Sequence, residues 1–167
     1  MEINTETLIN RIIPPADYQH RNGFSNTDII DKLSEQEKKL MEDALINMLM
    51  TKNDDTLIIE TLAYLKSVKS LPFLYEFLKN NSDTMSKIIV STSIFAINQD
   101  NDMVDIAITS FKNLENTKDS YYVYKLITAF YYLIKFNKPE VNEIIKEYLN
   151  HKEYLLSYNA KRALGNH

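Results

Sequence analysis

Apolar positions in this chain recur at helical spacing over most of its length, and polar breaks divide them into short segments. Leu8, Ile9, Ile12 and Ile13 form one side of a first helix over 4–12, which Pro14-Pro15 ends because proline lacks an amide hydrogen. Ser34 with Glu37 reads as a capping box opening a helix over 35–51, whose buried stripe is Leu40, Met41, Ala44, Leu45, Met48 and Leu49. Beyond it the stripes predict helices over 55–67, 70–80, 84–98, 102–115, 119–136, 139–150 and 153–164. Ser70 is placed at a cap, with Pro72 and Pro139 in first turns, where proline is tolerated. Ser25 or Asn26 is placed as the cap of a brief helix reaching Leu33.

Within these stripes one local mark returns: a large apolar residue followed by a small or apolar one. It occurs at Leu62-Ala63, Phe95-Ala96, Tyr132-Leu133 and Leu164-Gly165, at spacings of 33, 37 and 32 residues. A period near 35 with two helices per unit predicts stacked helix pairs. Short polar connections make sequential helices antiparallel neighbours. The run Asn159-Ala160-Lys161-Arg162-Ala163-Leu164-Gly165 resembles the second helix of HEAT repeats, which often ends Ala-x-x-Ala-Leu-Gly. Thr61-Leu62-Ala63 through Leu71, Leu74 and Leu78 follows the same pattern, and the resemblance covers about residues 54–167. In the middle units Phe95 and Tyr132 stand in place of leucine, and Leu133 in place of the small residue. The expected fold is therefore all-α, a short right-handed HEAT-like α-solenoid of antiparallel helix pairs in a single domain over 1–167. Residues 1–34 cap it and 35–167 form the stack.

Composition narrows the chemistry. With two glycines and four prolines the chain is poor in the turn residues an antiparallel sheet needs. It has no cysteine, which excludes disulfides and thiolate-held metals. The start MEINTETLINRIIPPADY lacks the basic and apolar regions of a signal peptide, and no stretch has membrane-span length, so a cytoplasmic location is expected. Net charge is −4. Residues 1–60 hold 6 basic and 12 acidic side chains, and 61–167 hold 13 and 11. Without a strongly basic region, nucleic acid is a poor partner. The acidic front would steer a basic protein instead.

No phosphate loop, His-Glu-x-x-His or Gly-x-Ser-x-Gly occurs, and His20, His151 and His167 are far apart. No catalytic residue, metal or cofactor is therefore expected. The pairs Asp28 with Asp31 and Asp102 with Asp105 read as solvated carboxylates or caps. The polar loop from Asp17 to Gly23 is the one local candidate for something unusual, since it gathers Asp17, His20, Arg21 and Asn22.

Tyrosine is in excess: 11 residues and no tryptophan. With Val123, Leu126, Phe130 and Leu133 toward the core, Tyr121, Tyr124, Lys125, Thr128 and Lys135 share another face. Glu60 and Tyr64, Lys87 and Ser91, and Tyr154, Tyr158 and Lys161 occupy corresponding faces of other helices. In a HEAT-like stack these faces line the concave surface, and tyrosine with scattered cations is typical of interfaces. The resulting expectation is a non-catalytic protein-binding scaffold or adaptor. Its narrower form is an immunity protein that covers a basic toxin, which suits the Asn-, Ile- and Lys-rich composition of an AT-rich bacterial genome. The alternatives are a nucleic-acid-binding HEAT-like protein, a kind whose known members include DNA glycosylases with a basic groove, and a small helical enzyme with its site near Asp17–Gly23.

Overall fold

The computed structural model describes residues 4–117 and 119–165, and all of the regular structure among them is helical. The chain divides into two compact units, Met1–Tyr75 and Glu76–His167.

In the first unit α1 spans Thr5–Ile12, α2 Tyr18–Arg21, α3 Thr27–Ile30, α4 Glu35–Met50 and α5 Thr56–Tyr64. Asn4 caps α1 by accepting from the Thr7 amide at 3.0 Å. Leu8 and Ile12 turn inward, and α1 packs on α4. The Ser34–Glu37 capping box forms with both halves present. The stripe of α4 buries Met41, Leu45, Ile46 and Leu49, and α5 packs beside it with Ile58, Ile59 and Leu62 fully covered.

Both long helices of this unit stop at a lysine in the left-handed region, Lys52 at φ 61° and Lys66 at φ 56°. The Lys52 amide donates to the Leu49 carbonyl and the Asn53 amide to that of Met48; Lys66 and Ser67 repeat the pattern on Ala63 and Leu62. These are Schellman motifs without glycine. A chain with two glycines thus uses lysine where glycine is usual, at a local cost of about 1–2 kcal/mol each.

The segment between α1 and α4 is held by polar ties. The sequence offers Ser25 or Asn26 as the side-chain cap of the next helix, and Asn26 takes the cap position without a side-chain cap bond. Its amide instead turns inward, donating to the Ile12 carbonyl at 3.2 Å and to the Thr61 hydroxyl at 2.8 Å. Both residues are buried, so they satisfy each other and bind α3 to α1 and α5. Ser67 caps a 3-10 turn over 68–70, and Ser70, just before the next helix, donates its hydroxyl to the Ser67 carbonyl at 2.8 Å. The next helix, α6, is Leu71–Asn80, and the division between the units falls within it.

The second unit holds α7 Thr84–Asn98, α8 Asp102–Glu115, α9 Tyr122–Leu133, α10 Pro139–Lys146 and α11 Tyr154–Ala163. Asp83 caps α7, accepting from the Ser86 amide at 2.7 Å. Eight consecutive residues, Ile88 to Phe95, are buried, so the middle of α7 is covered round its whole circumference. Its most extensive contact is with α8, and it also meets α9 and the 3-10 turn 134–136. α9 in turn packs on α8 and α11.

Aromatic rings fill the space among these helices. Phe111 and Phe130 are fully buried with ring centroids 5.9 Å apart, and Tyr148 lies 6.0 Å from the first and 4.9 Å from the second. Phe136 packs on Phe95 at 4.9 Å. The Tyr148 hydroxyl donates to a Glu115 carboxylate oxygen. Burial first, and then this bond, pushes the Tyr148 phenol far above its ordinary range, so it stays a donor at any working pH. Tyr148→Phe should therefore cost about 1.5–3 kcal/mol, the usual worth of a bond to a charged group. Urea unfolding measures it, and a loss below about 0.5 kcal/mol would show that water replaces the bond.

Candidate docking face

The residues singled out in the sequence fall into three groups. The first is Asp17, His20, Arg21 and Asn22, which lie on and around the four-residue helix α2 and not in an open loop. Asp17 is its cap, accepting from the His20 amide at 3.0 Å while His20 Nδ1 lies 2.8 Å from both carboxylate oxygens. These contacts hold the Asp17 carboxyl below its ordinary range. The Asn22 amide donates to the Tyr18 hydroxyl at 3.0 Å.

Arg21 turns away from both. Its Nη2 meets Asp55 at 2.6 Å and its Nε donates to the Pro14 carbonyl at 2.9 Å. Asp55 also caps α5 by accepting from the Leu57 amide at 3.0 Å. Arg21 is thus a brace between the end of the first helical segment and the start of α5. Asp31, the exposed partner of Asp28 in the sequence pair, accepts from the Tyr64 hydroxyl at 2.7 Å.

Glu60 and Tyr64 belong to the first unit and Lys87 and Ser91 to the second. Tyr64 is exposed, and Glu60 and Lys87 are half-buried. Ser91 corrects the reading of α7: it is fully buried, so it cannot meet a partner. The sequence set it beside Lys87 on one helical stripe, but the packing around α7 closes that stripe one turn after the lysine.

The third group does come together. α9 and α11 are packed neighbours, and each presents tyrosines to solvent. On α9 and at its cap position, Tyr121 is 67 % exposed and Tyr124 63 %, with Lys125 half-buried and Thr128 exposed between them and Tyr131. On α11, Tyr154 is 71 % exposed and Tyr158 43 %, and Lys161 is exposed beyond them. Leu126, Ala129, Phe130 and Leu133 point the other way and are wholly covered. The outward side of α9 is therefore fixed by the burial of its opposite side.

Three contacts order this face. The Tyr131 hydroxyl and the Asn159 side-chain oxygen lie 3.0 Å apart and tie α9 to α11. Tyr154 and Tyr158 stack with centroids 5.8 Å apart, and the Arg162 guanidinium lies 5.8 Å from the Tyr158 ring. Lys125 pairs with Asp119 at the edge, which holds that carboxyl below its ordinary range. Leu155, itself 38 % exposed, supplies an aliphatic patch.

The core-stripe pattern alone does not mark Tyr131, Leu155, Asn159 and Arg162 as part of this face. The signal was present: Tyr124, Thr128 and Tyr131 follow i, i+4, i+7, and Leu155, Asn159 and Arg162 follow it on α11.

Among the described residues no group of three or more His, Asp and Glu side chains is placed to hold a metal ion, and no helix is long and apolar enough to cross a membrane. The chain matches no family model, no curated protein and no solved structure.

Proposed function

We propose that this chain is a non-catalytic protein-binding module and that the outer face of α9 and α11 captures another protein. The observation that carries the reading is that Tyr121, Tyr124, Tyr131, Tyr154 and Tyr158 are all exposed on two helices packed side by side. A tyrosine covers much area with few rotatable bonds and offers a hydroxyl at its rim, which is why interfaces are rich in it. Exposed large side chains gathered on one face are unusual for a surface that meets only water.

The scaffold beneath this face is read as HEAT-like. α7 meets α9 and α9 meets α11, the skip-one adjacency that a stack of helix pairs requires. Three residues join α7 to α8, and so short a connection favours an antiparallel pair. In this reading α7 with α8 and α9 with α10 are successive pairs, and α11 opens a third. The immunity form of the function, an acidic inhibitor on a basic toxin, would draw on the carboxylates of residues 1–60 and not on the tyrosine face.

The test is a double substitution, Tyr124→Ala with Tyr158→Ala. Both side chains are exposed, so the urea midpoint should move by less than the equivalent of about 0.5 kcal/mol. Capture of the bound protein from the source cell should fall at least about tenfold, since interface tyrosines are frequent hot spots. Unfolding of the variant would place these rings in the core. Undiminished capture would remove the face from the function.

A further inference from the structure

We infer that the occupant of the α9/α11 face is an acidic polypeptide segment with apolar residues interspersed, a reading that rests on the docking function proposed above. From Tyr121 to Lys138 and again from Tyr154 to Gly165 the chain contains no aspartate or glutamate, while it contains Lys125, Lys135, Lys138, Lys161 and Arg162. This is a local bias. Over residues 76–167 acidic and basic side chains balance, 11 to 11. Two carboxylates border the face, Asp119 paired with Lys125 and Glu153 capping α11, and among the described residues the cations without such a pair beside the exposed tyrosines are Lys135, Lys161 and Arg162.

The state of those cations supports an incoming carboxylate. Lys135 lies over the Tyr132 ring at 4.5 Å and Arg162 over Tyr158 at 5.8 Å. A ring face attracts a cation but offers no lone pair to its N–H groups, so a carboxylate can still accept from them. Lys161 is exposed one position away from Arg162. Phenolic hydroxyls of Tyr124, Tyr154 and Tyr158 add further donors at the same surface. Exposed Leu155 and the tyrosine rings call for aliphatic or aromatic side chains between the acidic ones.

One feature favours polypeptide over nucleic acid. Tyr154 and Tyr158 stack on each other at an interplanar angle of 26°, so they are already partnered and not splayed to receive bases. The expected basic partner follows from the charge of the first third of the chain. The tyrosine face has the opposite sign.

The experiment uses the full chain and three fluorescein-labelled probes read by anisotropy: a peptide alternating glutamate with leucine and phenylalanine, its glutamine counterpart, and an oligo-dT strand. The glutamate peptide should bind at least about tenfold tighter than the glutamine peptide at low salt, and the preference should shrink as salt screens it. Lys161→Glu with Arg162→Glu should abolish the preference. Lys79→Glu with Lys112→Glu, the same charge change at exposed positions of α6 and α8 in the same unit, should leave it intact. Equal binding of the glutamine peptide, with Tyr124→Ala and Tyr158→Ala still weakening both, would overturn the acidic assignment and leave the docking face standing. Tighter binding of oligo-dT would overturn it in favour of nucleic acid. A dimer of the chain alone, seen in sedimentation and dissolved by Lys161→Glu with Arg162→Glu, would assign the face to a second copy.

Discussion

Phe130→Ala is expected to lower the unfolding free energy by about 3–5 kcal/mol, the range for removing a buried aromatic ring. Phe130 has no exposed surface, and its ring sits 4.9 Å from Tyr148 and 5.9 Å from Phe111. The loss has two parts. Apolar area returns to water in the unfolded state without its folded compensation, and a cavity opens between two rings anchored on other segments. Tyr148 cannot swing into that space without abandoning the Glu115 carboxylate. Phe130→Leu fills most of the volume and should cost less than about 1.5–2 kcal/mol, which keeps the comparison measurable if the alanine variant fails to fold. The chain has no tryptophan, so urea unfolding is followed by tyrosine emission and by far-ultraviolet circular dichroism. A Phe130→Ala loss below about 1 kcal/mol would mean that the unit repacks around the gap.

Arg21→Ala should be the most damaging polar change in the first unit, at about 2–3 kcal/mol. One guanidinium serves the Pro14 carbonyl and both Asp55 oxygens, and its side chain and that of Asp55 are 21 % and 17 % exposed. Truncation leaves a half-buried carboxylate at the start of α5 with the Leu57 amide as its remaining strong partner. It also frees an acceptor at Pro14. The helix that carries Arg21 buries no residue of its own, so nothing apolar replaces the tie. Arg21→Lys should recover part of the loss and not all, because an ammonium lacks the planar fork that reaches both acceptors. Full recovery by lysine would mean that charge alone matters here. A loss under about 0.5 kcal/mol for alanine would mean that the brace is solvated away.

The long stripes were readable. α7 and α8 begin and end where the apolar spacing and the polar breaks place them, at Thr84–Asn98 and Asp102–Glu115. The tail of the α10 segment was not. Tyr148 and Leu149 continue the 3.6-residue spacing, yet the backbone there makes i to i+3 bonds, Tyr148 to Ile145 and Leu149 to Lys146. The Ser157 hydroxyl then takes the Leu149 carbonyl. Spacing cannot tell a helix from a tighter turn that keeps the same residues buried.

α2 is hidden in the sequence for the converse reason. It has no apolar stripe, and the partner that secures Arg21 lies 34 residues away. The exposure of Tyr121, Tyr124, Tyr154 and Tyr158 was legible because they lie off the core stripe of their own helices. Ser91 was misplaced because the exposure of a small polar residue depends on how many neighbours crowd its helix, which is a tertiary property. Thr92 beside it shows how such a helix tolerates polarity: its hydroxyl donates back to the Ile88 carbonyl at 2.8 Å.

The enclosure of α7 also sets an order in time. A helix covered on every side gains most of its burial only after its neighbours dock, so it has little to hold it while they are away. The amides of Val90 to Phe95 should then exchange with solvent only when α8 and α9 leave together, at the slowest rate in their unit. The exposed ends of α11 and the turn after α10 would exchange far sooner, leaving the proposed docking surface free to adjust while the central helix stays closed.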